Sequence, residues 1–478
     1  MFKIYKRITT VILILTLAGL LQIVSYAKKP MDTQPPTAPQ NLASVSVSQT
    51  SVSLKWTAST DNKGVSAYLI YKNSVNIGTT TGTTYSVSGL TAATTYSFYI
   101  KAKDTSGNLS QSSNVLTVTT QSVTPVTTAK IVTGYYASWS AYSGYTPLNI
   151  PAANLNVINY AFAKIGDDLK IAMGDTYIDP TNFSQLNQLK ASNLQLKTLI
   201  SIGGWNDSGK FSDAALTDAS RTAFADSVVT FIKQYGFNGV DIDWEYPVGG
   251  GMSTNITRSS DKQNFTLLLQ KLREKLNAQG AIDGKTYLLT IAGGAGDTYA
   301  ANTELSKIAS YVDYATIMTY DIHGTWDSYT DFNAPLYTPT ETSPQYKSSV
   351  DQSVKIWMSA GFPASKIVLG IPFYGYIYNN VTGGGNGLYK PFSSGSSISY
   401  DKILSTYLTN SSYTKYYHST ALVPWLFNGS TFISYDDESS VSNKAKYIVT
   451  NNLAGAGIWE LSQNKGGQLL NALIANMK

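Results

Sequence analysis

Three acidic side chains alternate with apolar ones in one short segment, GFNGVDIDWEYP, residues 236–247. They are Asp241, Asp243 and Glu245. In a β-strand, residues i, i+2 and i+4 lie on the same face, so the three carboxylates share one side of the segment. Acids this close cannot all be ionised cheaply, so they share a proton and the pKa of at least one rises. A carboxylic acid that stays protonated at neutral pH can protonate a leaving group. The segment therefore predicts acid catalysis.

The chain contains few of the residues that other hydrolytic mechanisms need. The 478-residue chain has no cysteine and only two histidines, His323 and His418. Disulfides, thiol nucleophiles and thiolate metal sites are excluded. A Ser-His-Asp triad or a multi-histidine zinc site is disfavoured. Any hydrolysis must therefore rest on carboxylates, and we expect no cofactor and no metal.

Length and composition indicate globular domains. The length suits two or three domains, and 43% hydrophobic against 14% charged residues favours large cores over disorder. The net charge of +5 is small and forms no basic block, so nucleic acid is not an expected partner. The 34 tyrosines and 8 tryptophans suit stacking on sugar rings, although most aromatic residues pack in cores.

The first residues have the features of an export signal. A basic start, MFKIYKR, precedes the apolar run ITTVILILTLAGLL, and the small residues Ser25 and Ala27 stand at the spacing for cleavage. The run is short of the about 20 residues of a bilayer span, which favours release over anchoring. We expect residues 1–27 to be a signal peptide, no stable membrane insertion, and a secreted, extracellular protein. The absence of cysteine from an exported chain favours a bacterial source.

Residues 35–121 form one compositional unit. Short alternating segments, separated by Gly, Asn and Thr turns, recur about every ten residues, which predicts an all-β, immunoglobulin-like sandwich. The unit resembles a fibronectin type III module, which implies a core position for Trp56 and a tyrosine corner at Tyr96. We expect a spacer rather than a sugar-binding module. The Thr-, Ser- and Pro-rich residues 122–129 predict an extended linker.

From residue 130 onward, short apolar strands alternate with helical patterns. Eight such strand segments can be read: KIVTGYYASW, LNVINYAFAKI, LKTLISIGGW, FNGVDIDWEY, TYLLTIAGGAG, VDYATIMTYD, KIVLGIPFYGY and AGAGIWELSQ. Eight strand–helix units predict a (β/α)8 barrel of the α/β class over residues 130–478. Residues 377–440 are too many for a loop and predict an inserted α+β subdomain.

The barrel orients the acidic segment. The apolar Val240 and Ile242 suit the helix layer, so the acids should face the barrel interior. Glu245 comes just before Tyr246 and Pro247 break the strand. It should therefore lie at the C-terminal rim, where barrel enzymes keep their chemistry.

The three acids lie on one side of any bound sugar. Ordinary glycosidases use two carboxylates that flank the scissile bond, whereas Asp243 and Glu245 share a strand face and lie about 6–7 Å apart by strand rise. Among the exceptions are substrate-assisted enzymes, in which the sugar's own 2-acetamido oxygen attacks. Such a mechanism needs one general acid, a neighbouring acid, and hydrogen bonds that orient the acetamido group.

Four motifs carry a resemblance to a known family. NGVDIDWE resembles the signature of glycoside hydrolase family 18, the chitinases, with Asn238 where the commoner short form opens on Asp. SIGGW (201–205) and MTYD (318–321) resemble the third- and sixth-strand elements, and Trp459 in GIWELS resembles the eighth-strand tryptophan. The match spans residues 130–478, with the motifs in the family's order.

The resemblance implies catalytic roles. Glu245 would protonate the glycosidic oxygen and then activate water. Asp243 would share a proton with Asp241 and then turn toward Glu245 and the acetamido N–H. Tyr320 and Asp321 would orient the acetamido group for attack.

The resemblance also implies a substrate-binding set. Trp459 would form the floor of the −1 subsite. The other residues that it places against the sugar or behind the acids are Tyr136, Phe162, Met318, Trp205, Ser201 and Tyr374. Candidate stacking platforms for further sugars are Trp205, Trp326 and Trp425. We expect His323 to be a buried structural residue. Where the related pattern often has Arg after the seventh-strand Tyr-Gly, this chain has Tyr376, so a charged contact is missing or supplied elsewhere.

These features predict a monomeric, secreted chitinase that cleaves β-1,4 bonds of chitin or chito-oligosaccharides with retention of configuration. The insertion resembles the subdomain that raises one wall of the groove in deep-cleft chitinases. An endo-β-N-acetylglucosaminidase of the same family is the nearest alternative. A non-catalytic chitin-binding lectin is disfavoured because such proteins typically lose the terminal Glu of the motif, which is kept here as Glu245. Adhesion through the β-sandwich is a third alternative.

Overall fold

The computed structural model describes residues 32–121 and 130–477, apart from residues 49, 92, 342, 344 and 345. The predicted signal peptide (1–27) and linker (122–129) lie outside the described residues. The chain divides into two compact units, one N-terminal and one C-terminal. No helix in the described ranges has both the length and the apolar character needed to cross a membrane.

The N-terminal unit consists of two antiparallel sheets, with strand orders β1-β2-β5 and β4-β3-β6-β7. Along β6, every second residue is buried, which is the pattern of a strand with one face on a core. Trp56 is buried and meets Tyr68 edge-on, with ring centroids 5.4 Å apart; Tyr96 is also buried. The strands are β1 (Gln40–Val47), β2 (Val52–Thr57), β3 (Val65–Lys72), β4 (Val75–Thr80), β5 (Thr84–Val87), β6 (Thr95–Asp104) and β7 (Leu116–Thr119).

The C-terminal unit is a closed barrel. Its described part contains eight parallel strands in the order β8-β9-β11-β12-β13-β14-β15-β21, and β8 pairs again with β9 to close the ring. Each strand lies inside one of the eight predicted segments. These strands are β8 (Ile131–Ala137), β9 (Val157–Ile165), β11 (Lys197–Gly203), β12 (Gly239–Asp243), β13 (Leu288–Gly294), β14 (Tyr314–Met318), β15 (Ile367–Pro372) and β21 (Gly455–Trp459); β10 (Ile171–Met173) pairs antiparallel with β9. The predicted fold, a (β/α)8 barrel with an all-β N-terminal unit, is confirmed.

Helices separate the strands, and local sequence signals explain their ends. In α4, the Thr217 side chain accepts a hydrogen bond from the Ser220 N–H, and Gly236 ends the helix at φ +78°. The helices are α1 (Asp179–Ser192), α2 (Gly204–Asp207), α3 (Phe211–Ala214), α4 (Asp218–Tyr235), α5 (Asp261–Asp283), α6 (Asp297–Ala301), α7 (Leu305–Ile308), α8 (Val350–Ser359), α9 (Tyr400–Lys402), α10 (Glu438–Thr450) and α11 (Gln468–Asn476).

An antiparallel sheet lies between β15 and β21 in the chain. Its strand order is β17-β16-β20-β19-β18. The strands are β16 (Tyr374–Asn379), β17 (Ser394–Ser399), β18 (Thr414–Tyr417), β19 (Pro424–Phe427) and β20 (Phe432–Ser434). The first of these begins at Tyr374, ahead of the predicted boundary at residue 377, because only Phe373 separates β15 from β16. The barrel strand thus runs almost directly into the inserted sheet.

Strand β12 faces the way its pattern predicts. Val240 and Ile242 are fully buried, and Trp244 is 1% exposed. The Trp244 ring stacks on Phe211 of α3 at 5.3 Å and meets Phe265 of α5 edge-on at 5.4 Å. The apolar side of the segment therefore packs on the helix layer, and the acids between these residues are left facing the barrel interior.

Candidate active site

Asp241 lies at the bottom of the acid column, where four neighbouring strands converge on it. It is fully buried. Its Oδ2 accepts hydrogen bonds from Tyr135 Oη at 2.9 Å, Asn159 Nδ2 at 3.0 Å and Ser201 Oγ at 2.9 Å, and its Oδ1 accepts one from Thr290 Oγ1 at 2.5 Å. The donors come from β8, β9, β11 and β13. Buried polar groups are normally hydrogen-bonded, and this carboxylate is fixed on all sides.

Asp243 is the middle acid, and it favours the protonated form. It is 3% exposed. Burial raises the pKa of Asp243 well above its ordinary range, and both the charge of Asp241 and the hydrogen bond between the two acids raise it further. The raised pKa of Asp243 is consistent with a proton shared between the two acids, as expected for closely spaced carboxylates.

Glu245 lies at the rim, just past the end of β12. Burial raises its pKa to about 7, the charge of Asp321 adds to the rise, and a hydrogen bond from Tyr246 opposes it. A carboxyl group with a pKa near the working pH can both donate and accept a proton. The site can therefore supply one acid–base group at its mouth.

Two residues outside the sequence motifs, Ser208 and Asn255, and one glycine within them hold the backbone around the acids. Ser208 Oγ accepts a hydrogen bond from the Glu245 N–H at 2.9 Å and donates one to the Asp243 carbonyl at 3.0 Å. Asn255 Nδ2 donates to the Glu245 carbonyl at 3.0 Å. Gly203, in the SIGGW motif, has φ +106°, and a Cβ there would lie 2.4 Å from the Asp243 carbonyl oxygen. Only glycine fits so close to the acid strand.

Asp321 and Tyr320 follow directly after β14. Asp321 has a left-handed backbone, φ +55°, and its N–H donates to Asn333 Oδ1 at 2.8 Å. Its Oδ1 accepts hydrogen bonds from Tyr374 at 2.5 Å and Tyr376 at 2.7 Å. The residue is exposed as a whole, yet crowding around the carboxylate raises the pKa of Asp321, and the two tyrosine bonds oppose that rise.

Trp459 is the last residue of β21, and its ring lies in an aromatic cluster. Its ring lies 5.7 Å from Phe162, nearly parallel at 27°, and 5.5 Å from Tyr135. Trp139, which the motifs did not predict, is 52% exposed and lies 6.5 Å from Trp459. Met318 is half-buried at the end of β14. Because all these strands are parallel, their carboxyl ends share one face of the barrel, where the acids also end.

Tyr136 does not belong to this cluster. It is fully buried, its hydroxyl donates to the Tyr145 carbonyl at 2.9 Å, and its ring packs on Tyr145 and Tyr160. The residue of β8 that faces the acids is Tyr135, whose hydroxyl reaches Asp241. Successive residues of a strand point to opposite faces, so the prediction of Tyr136 as a lining residue was wrong by one position.

The three tryptophans proposed as platforms divide into two kinds. Trp205 is 51% exposed and Trp326 is 61% exposed, so both are open to a ligand. Trp425 is 4% exposed, stacks on Tyr416 at 5.1 Å, and donates from Nε1 to the Asn386 carbonyl at 2.9 Å. The prediction of Trp425 as a platform was therefore wrong, because this ring forms part of the core of the inserted sheet.

This division predicts different effects on stability. We expect Trp425→Ala to lower the free energy of unfolding by about 3–5 kcal/mol, the usual cost of truncating a buried aromatic ring. The matched change Trp205→Ala should alter it by no more than about 0.5 kcal/mol, as for other surface substitutions. Urea denaturation of the two variants measures both values. Equal losses in both would contradict the assignment.

Two further groups of titratable residues are the one around His323 and an acidic group in the N-terminal unit. His323 is buried, with Nδ1 2.9 Å from Asp327 Oδ2 and Nε2 3.6 Å from Asp331 Oδ2, in line with the expected structural role. Among the described residues, one group of three acids has carboxylate oxygens within 4.8 Å of one another, and it belongs to the N-terminal unit: Asp32, Asp61 and Asp104.

Comparisons with known proteins agree with this geometry. Residues 131–464 match the family described as Glycosyl hydrolases family 18, and residues 37–119 match the Fibronectin type III domain. Chitinase A1 from Niallia circulans is 43% identical over 406 residues, which cover 72% of this chain and 58% of that protein. The chain thus spans somewhat more than half the length of this relative.

Two solved structures share the barrel. An N-acetylglucosaminidase of glycoside hydrolase family 18 from Paenibacillus barengoltzii is 37% identical, with a TM-score of 0.67 over 73% of this chain and 99% of that one. Chitinase ChiA74 from Bacillus thuringiensis is 34% identical, with a TM-score of 0.68 over 73% of this chain and 69% of that one. The acid column, the closed barrel and these matches together show that the chain belongs to glycosyl hydrolases family 18 and carries a fibronectin type III domain.

Proposed function

We propose that this protein is a chitinase that hydrolyses β-1,4 linkages between N-acetylglucosamine units with retention of configuration. The observation that carries the proposal is the one-sided arrangement of the acids. Glu245 lies at the mouth, whereas Asp243 and Asp241 lie behind it on the same strand and hydrogen-bond to each other and to the barrel wall. An attacking group must therefore come from elsewhere, and the substrate's acetamido oxygen can supply it.

The first half of the reaction breaks the glycosidic bond. Glu245 donates its proton to the glycosidic oxygen while the acetamido carbonyl oxygen attacks the anomeric carbon, which gives a cyclic oxazolinium ion and a free leaving-group hydroxyl. The positive charge that develops on the ring is favoured by nearby carboxylates. Asp243 carries the proton that it shares with Asp241, and a turn toward Glu245 would let it accept from the acetamido N–H.

The second half restores the sugar. The Glu245 carboxylate removes a proton from water, the water oxygen attacks the anomeric carbon, and the oxazolinium ring opens to the acetamido group. Two inversions leave the product in the β configuration. Tyr320 and Asp321 would orient the acetamido group, and Trp459 with Phe162 would form the apolar floor beneath it. Proximity of this kind supplies a large part of the rate in intramolecular attack.

The anomer of the fresh product tests this mechanism. We expect chitohexaose to yield products whose new reducing ends are β-anomers in the first minutes, before mutarotation. Proton NMR of the anomeric signals during hydrolysis measures the ratio. An initial α-anomer would rule out retention and with it the attack by the acetamido oxygen.

A second candidate is an N-acetylglucosaminidase activity. The solved structure from Paenibacillus barengoltzii carries that name at 37% identity over 73% of this chain. An enzyme that removes single sugars releases N-acetylglucosamine from chitohexaose from the start, whereas a chitinase releases oligomers. Activity on colloidal chitin against a high-mannose glycoprotein separates a chitinase from an endo-β-N-acetylglucosaminidase.

The organisation around the barrel is also part of the proposal. Residues 1–27 would be removed on export, residues 35–121 would form a spacer, and residues 122–129 would link it to the catalytic part at 130–478, with its insertion near 377–440. The protein would act outside the cell as a monomer. The basic start followed by an apolar run supports the export step.

A further inference from the structure

Two tyrosine hydroxyls converge on a single oxygen of Asp321. Tyr374 and Tyr376 are residues i and i+2 of β16, so their side chains leave the same face of the strand. Both hydroxyls donate to Oδ1, at 2.5 and 2.7 Å. A carboxylate oxygen has two lone-pair sites, and both are occupied here. Oδ2 makes no hydrogen bond within the described residues, so it is the oxygen that remains for a ligand's donor.

Among the described residues, only neutral donors bind the Asp321 carboxylate. In the described part of the chain, Asp321 forms no ion pair, and its carboxylate has only the two tyrosines as hydrogen-bond donors. Two neutral donors fix the direction of the carboxylate without cancelling its charge. The charge of Asp321 therefore acts on Glu245, where it adds to the rise in pKa that burial causes. An arginine in place of Tyr376 would have compensated this charge.

The backbone of Asp321 is tied to the same strand. Asn333 Oδ1 accepts from the Asp321 N–H at 2.8 Å, and Asn333 Nδ2 donates to the Tyr374 carbonyl at 3.3 Å. Asn333 is 1% exposed. Asn333 therefore links the main chain of Asp321 to strand β16, which also binds its side chain.

The Tyr376 ring has a second contact that does not depend on its hydroxyl. Its edge meets the Trp326 ring at 5.5 Å and 85°. Removal of the hydroxyl alone would keep this contact, so the hydrogen bond can be tested apart from the packing.

We propose that Tyr376 is a positioning residue that, with Tyr374, turns the Asp321 carboxylate so that Oδ2 faces a donor group of the sugar bound in the −1 subsite. This inference rests on the proposed function, since it assumes that Asp321 helps to orient the N-acetylglucosamine unit bound in the −1 subsite. Loss of one of the two donors would let the carboxylate rotate. We expect this rotation to weaken the contact of Oδ2 with the substrate more in the transition state than in the bound ground state. The loss should therefore appear in kcat.

The test compares Tyr376→Phe with Tyr378→Phe in the full chain. Tyr378 lies two residues further along the same face of β16, and its buried hydroxyl has no hydrogen-bond partner within the described residues. The control therefore removes a buried hydroxyl oxygen of the same strand face without removing a hydrogen bond. We expect Tyr376→Phe to lower kcat on chitotetraose by about 10–100-fold, the scale of one hydrogen bond to a charged group, with KM changed by less than about 3-fold. Tyr378→Phe should stay within about 2-fold of the wild type.

A double substitution shows whether Tyr376 acts through Asp321. In an Asp321→Asn background, the further change Tyr376→Phe should lower kcat by less than about 2-fold, because coupled residues are not additive. Equal kcat values for Tyr376→Phe and Tyr378→Phe, a loss confined to KM, or full additivity would each overturn the inference. Wild-type protein that fails to cleave acetylated chito-oligosaccharides would instead refute the proposed function.

Discussion

Glu245→Gln should lower turnover of chito-oligosaccharides by about 10²–10⁴-fold or more, the scale for loss of a general acid. The amide has the shape of the carboxyl group but can neither give a proton to the glycosidic oxygen nor take one from water. Both half-reactions lose their acid–base group. Initial rates of product release from chitohexaose measure the effect, and near-normal activity in a folded variant would overturn the assignment.

A matched control distinguishes the loss of any one carboxylate from the loss of the catalytic acid. Glu274 is an exposed helix residue paired with Lys271, so Glu274→Gln removes a carboxylate far from the acid column. We expect its activity to equal that of the wild type.

In the wild type, kcat/KM should fall as the pH rises through about 7, because Glu245 must be protonated to act as the acid and burial raises its pKa to that value.

The same carboxyl group links activity to stability. The folded pKa of Glu245, about 7, is above its ordinary value of 4.5. The folded state therefore retains the proton more readily, and the contribution of this group to stability is present below pH 4.5 and lost as the pH rises toward 7. Glu245→Gln has no such loss, so its Tm relative to the wild type should be higher at pH 8 than at pH 4. Thermal unfolding at the two pH values checks that the variant folds.

Substrates with glucosamine at the −1 position should not be cleaved. Glucosamine has an amine where N-acetylglucosamine has an acetamido group, so it offers no carbonyl oxygen to attack the anomeric carbon. Since the acetamido oxygen is the proposed nucleophile, the loss should be essentially complete. Mass spectrometry of products from a partly deacetylated chito-oligosaccharide mixture identifies the sugar at each new reducing end.

The control for this experiment is internal to the mixture. Cleavage after N-acetylglucosamine should proceed in the same sample, which shows that the enzyme is active and that longer-range binding is intact. Any substantial share of products with glucosamine at the new reducing end would refute substrate assistance, while leaving the glycoside hydrolase assignment in place.

Elements with a local signal were predicted well. The eight barrel strands appear as apolar runs between turns and helices because parallel strands are buried on both faces. The acid column follows from the period of two, since apolar residues at the intervening positions need the helix layer. The predicted roles of Glu245, Asp243 and Asp241 are consistent with the places that the structure gives them, although only the experiments above test those roles.

Local patterns failed where every residue of an element is buried. In β8, both Tyr135 and Tyr136 are almost fully buried and of one type, so nothing in the alternation tells which of them faces the acids. Trp425 has the same ambiguity, since an aromatic residue in a Gly- and Tyr-rich insertion can be core or platform. Contacts, and not composition, decide between the two.

The amino-acid sequence alone determined the fold class, the two units and the set of acids, because hydrophobic periodicity and a motif confined to a few residues specify them. Only the tertiary structure decided which donors surround those acids. Tyr135 is 106 positions from Asp241, and Tyr376 is 55 positions from Asp321. Such pairs meet only because the barrel closes and because its seventh strand runs into the inserted sheet. Neither the spacing of the residues nor their types predicts which of them the closed barrel brings into contact.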